Sequence, residues 1–387
     1  MAESITLVSL MLRALKHVPV QEIFDRDPYE SRRTALKGEK LVQVLVAYQM
    51  VRQPGIRGLI RATEEHPPLQ AALGGPVARN TLANALTQRP VEQRVEAWLR
   101  VSQSYGAGVE RMGKKVARIA LVDSTLLKLS LAVYDWAEYR QASGAAKVHA
   151  VLEWQRRIPQ QVVVTAGKVH DANRTVPMQW KAGWTYVQDR GSISFARLAQ
   201  RQAGGAHFVV RLKQSMHWQV VARRPVPLGP HGGGYLRGDQ PVRLAGGPEV
   251  ELRLVSYQLP DSRWGFVLTA RFDLTASSVA RLYKERWKIE HWWKWMKAML
   301  KIKHPLGESA TALPLHLIAA FVTDLLWRVF KAFGHFPASL YEFVTRCQEL
   351  SLVRLVDIAN GALRRALTTI WRYLSQRPPT SQVPLCL

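Results

Sequence analysis

The feature that most constrains the fold is a change of hydrophobic periodicity near residue 116. Before it, apolar side chains recur at helical spacing, as Leu41, Val44, Leu45 and Tyr48 do. After it, short apolar runs predict strands, with two helical segments among them. The predicted strands are 116–122, 148–152, 162–165, 185–187 and 207–212, and the predicted helices are 176–180 and 193–202. The pattern therefore predicts a mixed α/β core.

The same patterns predict three parts. Residues 1–112 are predicted to be a helical N-terminal region, and residues 113–310 an α/β core of ribonuclease-H-like type, because three strands, a helix, a strand, a helix and a strand follow in that order. A β-rich insertion at about 214–275 interrupts this core, since a Gly- and Pro-rich stretch precedes a predicted hairpin. Residues 311–387 are predicted to be helical again. Their longest apolar run, 313–330, contains His316, Asp324 and Arg328 and therefore predicts a buried core helix, not a membrane span.

The charge of the chain points to a polyanionic partner. Lys and Arg number 54 against 29 Asp and Glu, a formal net charge of +25. Such a field attracts nucleic acid, whereas basic proteins that bind membranes usually concentrate their charge in one amphipathic helix. Residues 1–112 are accordingly predicted to bind DNA, although a solvated helical region could carry the same charge. The two cysteines, Cys347 and Cys386, lack the spacing of metal ligands and indicate a reducing, cytoplasmic location.

Two aspartates stand at the ends of predicted strands. Asp123 follows the apolar run that ends at Val122, and Asp189 follows Tyr186, Val187 and Gln188. A carboxylate at the end of a buried strand costs desolvation unless it binds a cation or hydrogen-bond donors. Either aspartate alone could simply cap a turn. Two of them in one α/β core favour a cation site.

A third acidic residue lies in the segment from Tyr283 to Lys297. If this segment is one helix, a rotation of about 100° per residue places Tyr283, Arg286, Glu290 and Lys297 within an arc of roughly 60°. Glu285 points away by the same rule. A stripe of charge pairs on an exposed helix would show the same spacing. Three carboxylates suit two Mg²⁺ or Mn²⁺ ions, which can activate and stabilise the oxygens of a phosphodiester.

These motifs together resemble the DDE transposases of bacterial insertion sequences, in the group with the signature Tyr-x2-Arg-x3-Glu-x6-Lys. Tyr283, Arg286, Glu290 and Lys297 reproduce its spacing. The sequence Leu-Val-Asp-Ser-Thr that ends at residue 125 and the sequence Asp-Arg-Gly-Ser that begins at residue 189 resemble the other two motifs of the group, and residues 167–171 are typical of the segment between them. The resemblance covers about residues 115–310.

The resemblance implies a transposase that cuts transposon ends and joins them to target DNA, by a cut-and-paste route through a hairpin intermediate. It implies that Asp123, Asp189 and Glu290 are the catalytic residues and hold two Mg²⁺ (or Mn²⁺) ions per site. It also implies a homodimer that binds double-stranded DNA, namely paired terminal inverted repeats and the target, with no membrane partner. A ribonuclease-H-like nuclease that does not join DNA and an inactive DNA-binding derivative are the alternatives. If one of the three catalytic acids is misassigned, Asp171 is the residue that would replace it. Its simpler role is to cap the N-terminus of the helix that follows it.

Further DNA contacts follow from the resemblance. Tyr283, Arg286 and Lys297 would contact phosphates at the cleavage site. Trp264 would stack on a base flipped out of the hairpin, unless it is an ordinary core residue of its own β-hairpin. Arg211 and Lys213 follow the last core strand, as basic residues do in relatives. They could equally be solvated residues at a strand end.

Overall fold

The computed structural model describes thirteen segments of the chain. They are residues 5–16, 36–51, 54–88, 117–129, 137–140, 143–169, 178–192, 195–212, 216–222, 229–231, 234–244, 251–307 and 309–376. The chain divides into two compact units. One comprises Met1–Lys115, Lys128–Trp136 and Lys294–Leu387, and the other comprises Val116–Leu127 and Ala137–Trp293. The predicted division into three parts stays a prediction.

The first unit is built from helices in its described residues. They are α1 (Leu7–Leu15), α2 (Gly38–Met50), α3 (Gly55–Glu65), α4 (Pro67–Ala72), α5 (Arg79–Gln88), α9 (Ala312–Phe333), α10 (Leu340–Glu349) and α11 (Gly361–Ser375). Helices α2, α5, α10 and α11 contact α9, which is therefore the central element of the unit.

Helix α9 contains the longest apolar run of the chain. It is long and apolar enough to cross a membrane, but 83% of its most apolar window is buried inside the protein. Its polar side chains have partners within the same unit: Asp324 accepts a 2.7 Å hydrogen bond from Trp295 and pairs with Arg328 at 3.1 Å. The burial confirms the prediction of a core helix.

The second unit is a mixed α/β structure around one large sheet. In the described residues its strands are β1 (Ile119–Leu129), β2 (Glu138–Arg140), β3 (Ser143–Glu153), β4 (Pro159–Ala166), β5 (Thr185–Gln188), β6 (His207–Arg211), β7 (Trp218–Val220), β8 (Gly229–His231), β9 (Gly234–Leu244), β10 (Leu252–Gln258) and β11 (Trp264–Thr269). They lie in the order β2-β3-β1-β5-β6-β11-β10-β9-β7, with β4 beside β3 and β8 beside β9. The described strands of the predicted insertion thus extend the core sheet and do not form a sheet of their own.

Two helices pack on the middle of this sheet. The first is α6 (Phe195–Ala203), whose Leu198 packs with Phe208, Val210 and Leu268 on one face. The second is α7 (Ala276–Glu285), which contacts β5, β6, β10 and β11. Thr275 begins α7 as its N-cap, because its hydroxyl accepts a 3.2 Å hydrogen bond from the backbone N–H of Ser278. Helix α8 (Trp287–Met299) follows α7 directly.

The structure corrects three local predictions. The described part of the predicted helix 176–180, residues 178–180, is not helical. Strand β1 does not end at Asp123 but continues to Leu129, because the burial of its side chains goes on alternating in strand fashion. The segment from Tyr283 to Lys297 is not one helix, since α7 ends at Glu285 and α8 begins at Trp287.

Candidate active site

Asp123 and Asp189 are held on neighbouring parallel strands. Strands β1 and β5 pair in register from Ile119↔Thr185 to Val122↔Gln188, and each aspartate is the residue directly after the last pair. Paired strands lie about 4.8 Å apart, so the backbones of the two aspartates are neighbours. The carboxyl ends of parallel strands lie at the same edge of a sheet. The predicted pair of strand-end acids is therefore brought together, although β1 runs on beyond β5.

Tyr283, Arg286 and Glu290 form a cluster with Asp189. The phenol of Tyr283 donates a 3.1 Å hydrogen bond to Oδ1 of Asp189. The guanidinium of Arg286 forms a 2.7 Å ion pair with Oε1 of Glu290, and only 8% of its side chain is exposed. Arg286 also interacts electrostatically with Asp189 and Tyr283. Asp189 at the end of β5, Tyr283 of α7 and Glu290 of α8 thus lie around the buried guanidinium of Arg286.

The break between α7 and α8 shapes this cluster. At Arg286 the backbone stays right-handed, but its N–H bonds to the carbonyl of Tyr283, three residues back, and the N–H of Ile289 bonds to the carbonyl of Arg286 in the same way. This tighter winding, of the 3-10 type, separates the two helices. Glu285 points elsewhere, as predicted: it accepts a 2.8 Å hydrogen bond from Trp154 and pairs with Lys288.

The protonation of the cluster follows from its burial and its neighbours. Burial, with a contribution from Asp189, raises the pKa of Tyr283 to about 12, so the phenol keeps its proton at neutral pH. Burial disfavours the charge of Arg286, but Tyr283, Asp189 and Glu290 outweigh it and raise the pKa of the guanidinium. Within the described part of the chain, Nε of Arg286 is buried and has no hydrogen-bond partner. A buried cationic donor of this kind suits a phosphate oxygen.

Arg211 and Tyr257 lie beside this cluster. Arg211 is the last residue of β6, and its charge acts on the phenols of both Tyr283 and Tyr257. Tyr257 also interacts electrostatically with Arg286. Burial raises the pKa of Tyr257, against the effect of the two guanidinium groups, so it is a neutral donor near two cations.

The sequence analysis missed Tyr257, which lies outside every motif that it used. Its ring covers Gly265, its cross-strand partner on β11. A glycine directly opposite a tyrosine in a predicted hairpin is the signal that could have found it, but only once the register of the hairpin is known.

The remaining predicted residues are placed as follows. Trp264 is the first residue of β11, with 41% of its surface exposed, so it is not a core residue of the hairpin. Lys297 lies in the last turn of α8 and belongs to the first compact unit. Lys213 and Asp171 lie outside the described residues.

The donor atoms of the three predicted acids are of the type that a divalent metal ion prefers. Asp123, Asp189 and Glu290 offer only oxygen donors, which Mg²⁺ and Mn²⁺ prefer, and two of the three stand on adjacent strands. Glu290, however, is paired with Arg286, and the part of the chain that the structure describes contains no group of three or more Asp, Glu, His or Cys side chains arranged to hold a metal ion. The metal set of three acids stays a prediction.

Comparison with known proteins identifies the family. A family model described as Transposase DDE domain matches residues 114–321, more than half of the chain. Its relatives include two that are named as a putative and a probable transposase. One is y4zB of Sinorhizobium fredii, 29% identical over 69% of this chain and 76% of its own length, and the other is that of insertion sequence element IS5377 of Geobacillus stearothermophilus, 24% identical over 54% of this chain and 56% of its own. A structure of the piggyBac transposase synaptic complex with hairpin DNA aligns with 96% of this chain and 86% of its own, at 11% identity and a TM-score of 0.42. The chain belongs to the DDE transposases of the insertion-sequence type.

Proposed function

We propose that this transposase uses Asp123, Asp189 and Glu290 to cleave transposon ends and to join them to target DNA, by a cut-and-paste route through a hairpin. One observation carries the proposal: two aspartates follow the same register pair on neighbouring parallel strands, and Tyr283, Arg286 and Glu290 gather at the second of them. We also assign the α/β unit to the ribonuclease-H-like fold, on the basis of its parallel centre β1, β5 and β6.

The three acids would hold two Mg²⁺ or Mn²⁺ ions. Bound ions of this kind lower the pKa of an attacking water or hydroxyl group and offset the charge that develops on the leaving oxygen. Asp123 and Asp189 offer their carboxylates from fixed strand positions. Glu290 pairs with Arg286 through Oε1, so its other carboxylate oxygen is the one that would bind a metal ion.

The other residues of the cluster bind and orient the DNA. Tyr283 orients the carboxylate of Asp189 by donating a hydrogen bond to it. The buried Nε of Arg286 faces no protein acceptor in the described residues, so a phosphate oxygen would satisfy it. Arg211 adds a second cation beside it. A phosphate held by two guanidinium groups next to two carboxylates is positioned for attack.

The basic charge of the chain supports DNA as partner. We assign recognition of the terminal inverted repeats to the helical region 1–112, with Lys297 and Lys213 as further phosphate contacts. Two ends must be held together for insertion, so the active form is a homodimer on paired ends. The reaction takes place in the cytoplasm, without a membrane partner.

The test is a Mg²⁺-dependent reaction of the purified full chain on a plasmid that carries the DNA flanking its reading frame. We expect ends that are first cleaved and then joined to target DNA. Asp123→Asn and Asp189→Asn should abolish both steps and retain DNA binding. Asp273→Asn, at an aspartate whose side chain is 62% exposed, is the matched control and should stay active.

Three results would count against the proposal. Activity that survives in Asp123→Asn contradicts the assignment of the site. Cleavage without joining shows the alternative, a nuclease. DNA binding without cleavage by the wild-type chain shows an inactive derivative.

A further inference from the structure

Three strands of the second unit align an exposed row of side chains. Gln258 of β10 pairs directly with Tyr235 of β9 on one side and with Trp264 of β11 on the other. Directly opposite residues point to the same face of a sheet, so the three side chains form one row. Tyr235 is 53% exposed and Trp264 is 41% exposed. Two large aromatic side chains thus lie at the surface, about 10 Å apart across two strand spacings.

The row is held in place from both sides. Arg237 donates hydrogen bonds of 3.2 and 2.8 Å to Oε1 of Gln258, and its guanidinium lies 5.6 Å from the centre of the Tyr235 ring. Trp264 stacks on Phe266, with ring centres 6.1 Å apart and planes 10° apart. Side chains that are already ordered lose little freedom when a ligand binds.

The topology places this row at the edge of the sheet that carries the catalytic aspartates. Strand β11 runs antiparallel to β6, with Val267 opposite Arg211, so its first residue, Trp264, lies beyond the carboxyl end of β6. Strand β10 reverses again and ends at Gln258, and β9 begins beside it. From β1 to β9 this edge carries Asp123, Asp189, Arg211, Trp264, Gln258 and Tyr235 in spatial order. Arg211 is opposite Val267, three residues from Trp264, so the row points to the face of the sheet opposite Arg211, and a DNA strand reaches it from the cleavage site by passing over this edge.

We infer that Tyr235, Arg237, Gln258 and Trp264 form a platform for unpaired nucleotides of the DNA strand that leaves the cleavage site. Exposed aromatic rings stack on bases of any sequence, and the guanidinium of Arg237 matches the charge of the phosphates between them. The inference rests on the proposed function only in placing the cleaved strand at this edge.

The test measures DNA binding in EDTA, where no cleavage takes place. One probe is a blunt duplex, and the other is the same duplex with a short single-stranded extension that contains 2-aminopurine. Tyr235→Ala should weaken binding of the extended probe about 5- to 150-fold, the range for the loss of one stacked base, and leave the blunt probe unchanged. Tyr235→Phe should keep the affinity of the wild type.

Two further variants complete the test. Tyr341→Ala removes an equally exposed tyrosine, 61% exposed, from a helix of the other unit and should have no effect. Arg237→Gln should lower the slope of log K against log salt for the extended probe by about 0.7, the value for one phosphate contact on a single strand. If Tyr235→Ala fails to fold, the salt slope of Arg237→Gln and the 2-aminopurine fluorescence of the wild-type complex still test the proposal.

The inference is overturned if Tyr235→Ala binds both probes like the wild type, or weakens both equally, or if 2-aminopurine shows no stacking. Equal weakening would indicate a duplex or protein surface. A chain that prefers the extended probe but never cleaves DNA contradicts only the proposed function. A chain that cleaves and joins DNA without this preference contradicts only the platform.

Discussion

Substitution of Gly265 by alanine tests the packing that holds Tyr257 beside Arg211 and Arg286. A Cβ at Gly265 would lie 2.5 Å from Cε2 and 2.7 Å from the hydroxyl oxygen of Tyr257. Such distances are far inside van der Waals contact, so the ring must move. Gly265 has no positive φ, so backbone strain does not contribute. Overpacking of this kind costs about 1–3 kcal/mol of unfolding free energy.

Urea unfolding measures this cost, and a double-mutant cycle isolates it. Tyr257→Ala removes the ring that the new methyl group meets, so the double variant should lose less stability than the two single variants together. Gly204→Ala is the matched control, because its Cβ would make only ordinary contacts of 3.5 Å. Gly265→Ala should also lower DNA cleavage, since it moves the Tyr257 phenol away from the two guanidinium groups. The reasoning is refuted if Gly265→Ala is as stable as Gly204→Ala, or if Tyr257→Ala does not reduce its cost.

Two further predictions concern buried titratable groups. Tyr283→Phe removes the hydrogen bond to Asp189 and should slow cleavage about 10- to 150-fold, as expected for a bond to a charged group. Because the folded pKa of Tyr283, about 12, lies above the ordinary tyrosine value of 10.0, the wild type should lose stability as pH rises from 10 toward 12; an equally steep loss in Tyr283→Phe would contradict this. His316 is fully buried, and burial lowers its pKa to about 4 from 6.5, so the unfolding free energy should fall by on the order of 3 kcal/mol as pH drops between these values. His316→Gln should flatten this dependence in unfolding curves taken at several pH values, and an unchanged pH dependence would show that the histidine is not its source.

The local pattern of apolar and polar residues was enough to predict several features of the structure. The apolar runs that end at Val122 and Val187 predicted the strands that lead to Asp123 and Asp189, and the structure pairs those strands. The polar residues inside the run 313–330 predicted a core helix, which α9 is. The direction of Glu285 away from the cluster also followed from its position in the helix. Hydrophobic periodicity is a property of neighbouring residues, so the sequence displays it directly.

Other features depended on contacts between distant segments. Helical geometry predicted one face for Tyr283 to Lys297, but the helix is interrupted at Arg286, whose guanidinium interacts electrostatically with Asp189, the residue after β5. Tyr257 joins this cluster only because β10 pairs with β11 in a register that sets it opposite Gly265.

The sequence by itself therefore determined the basic charge, the α/β class and the acids at the strand ends. Tertiary structure decided that Arg286 lies beside Asp189, and that Tyr235 and Trp264 share one row. The physical reason is that the register of strands far apart in sequence follows from the packing of the whole sheet, and a shift of one residue in β9 or β11 would turn Tyr235 or Trp264 to the other face.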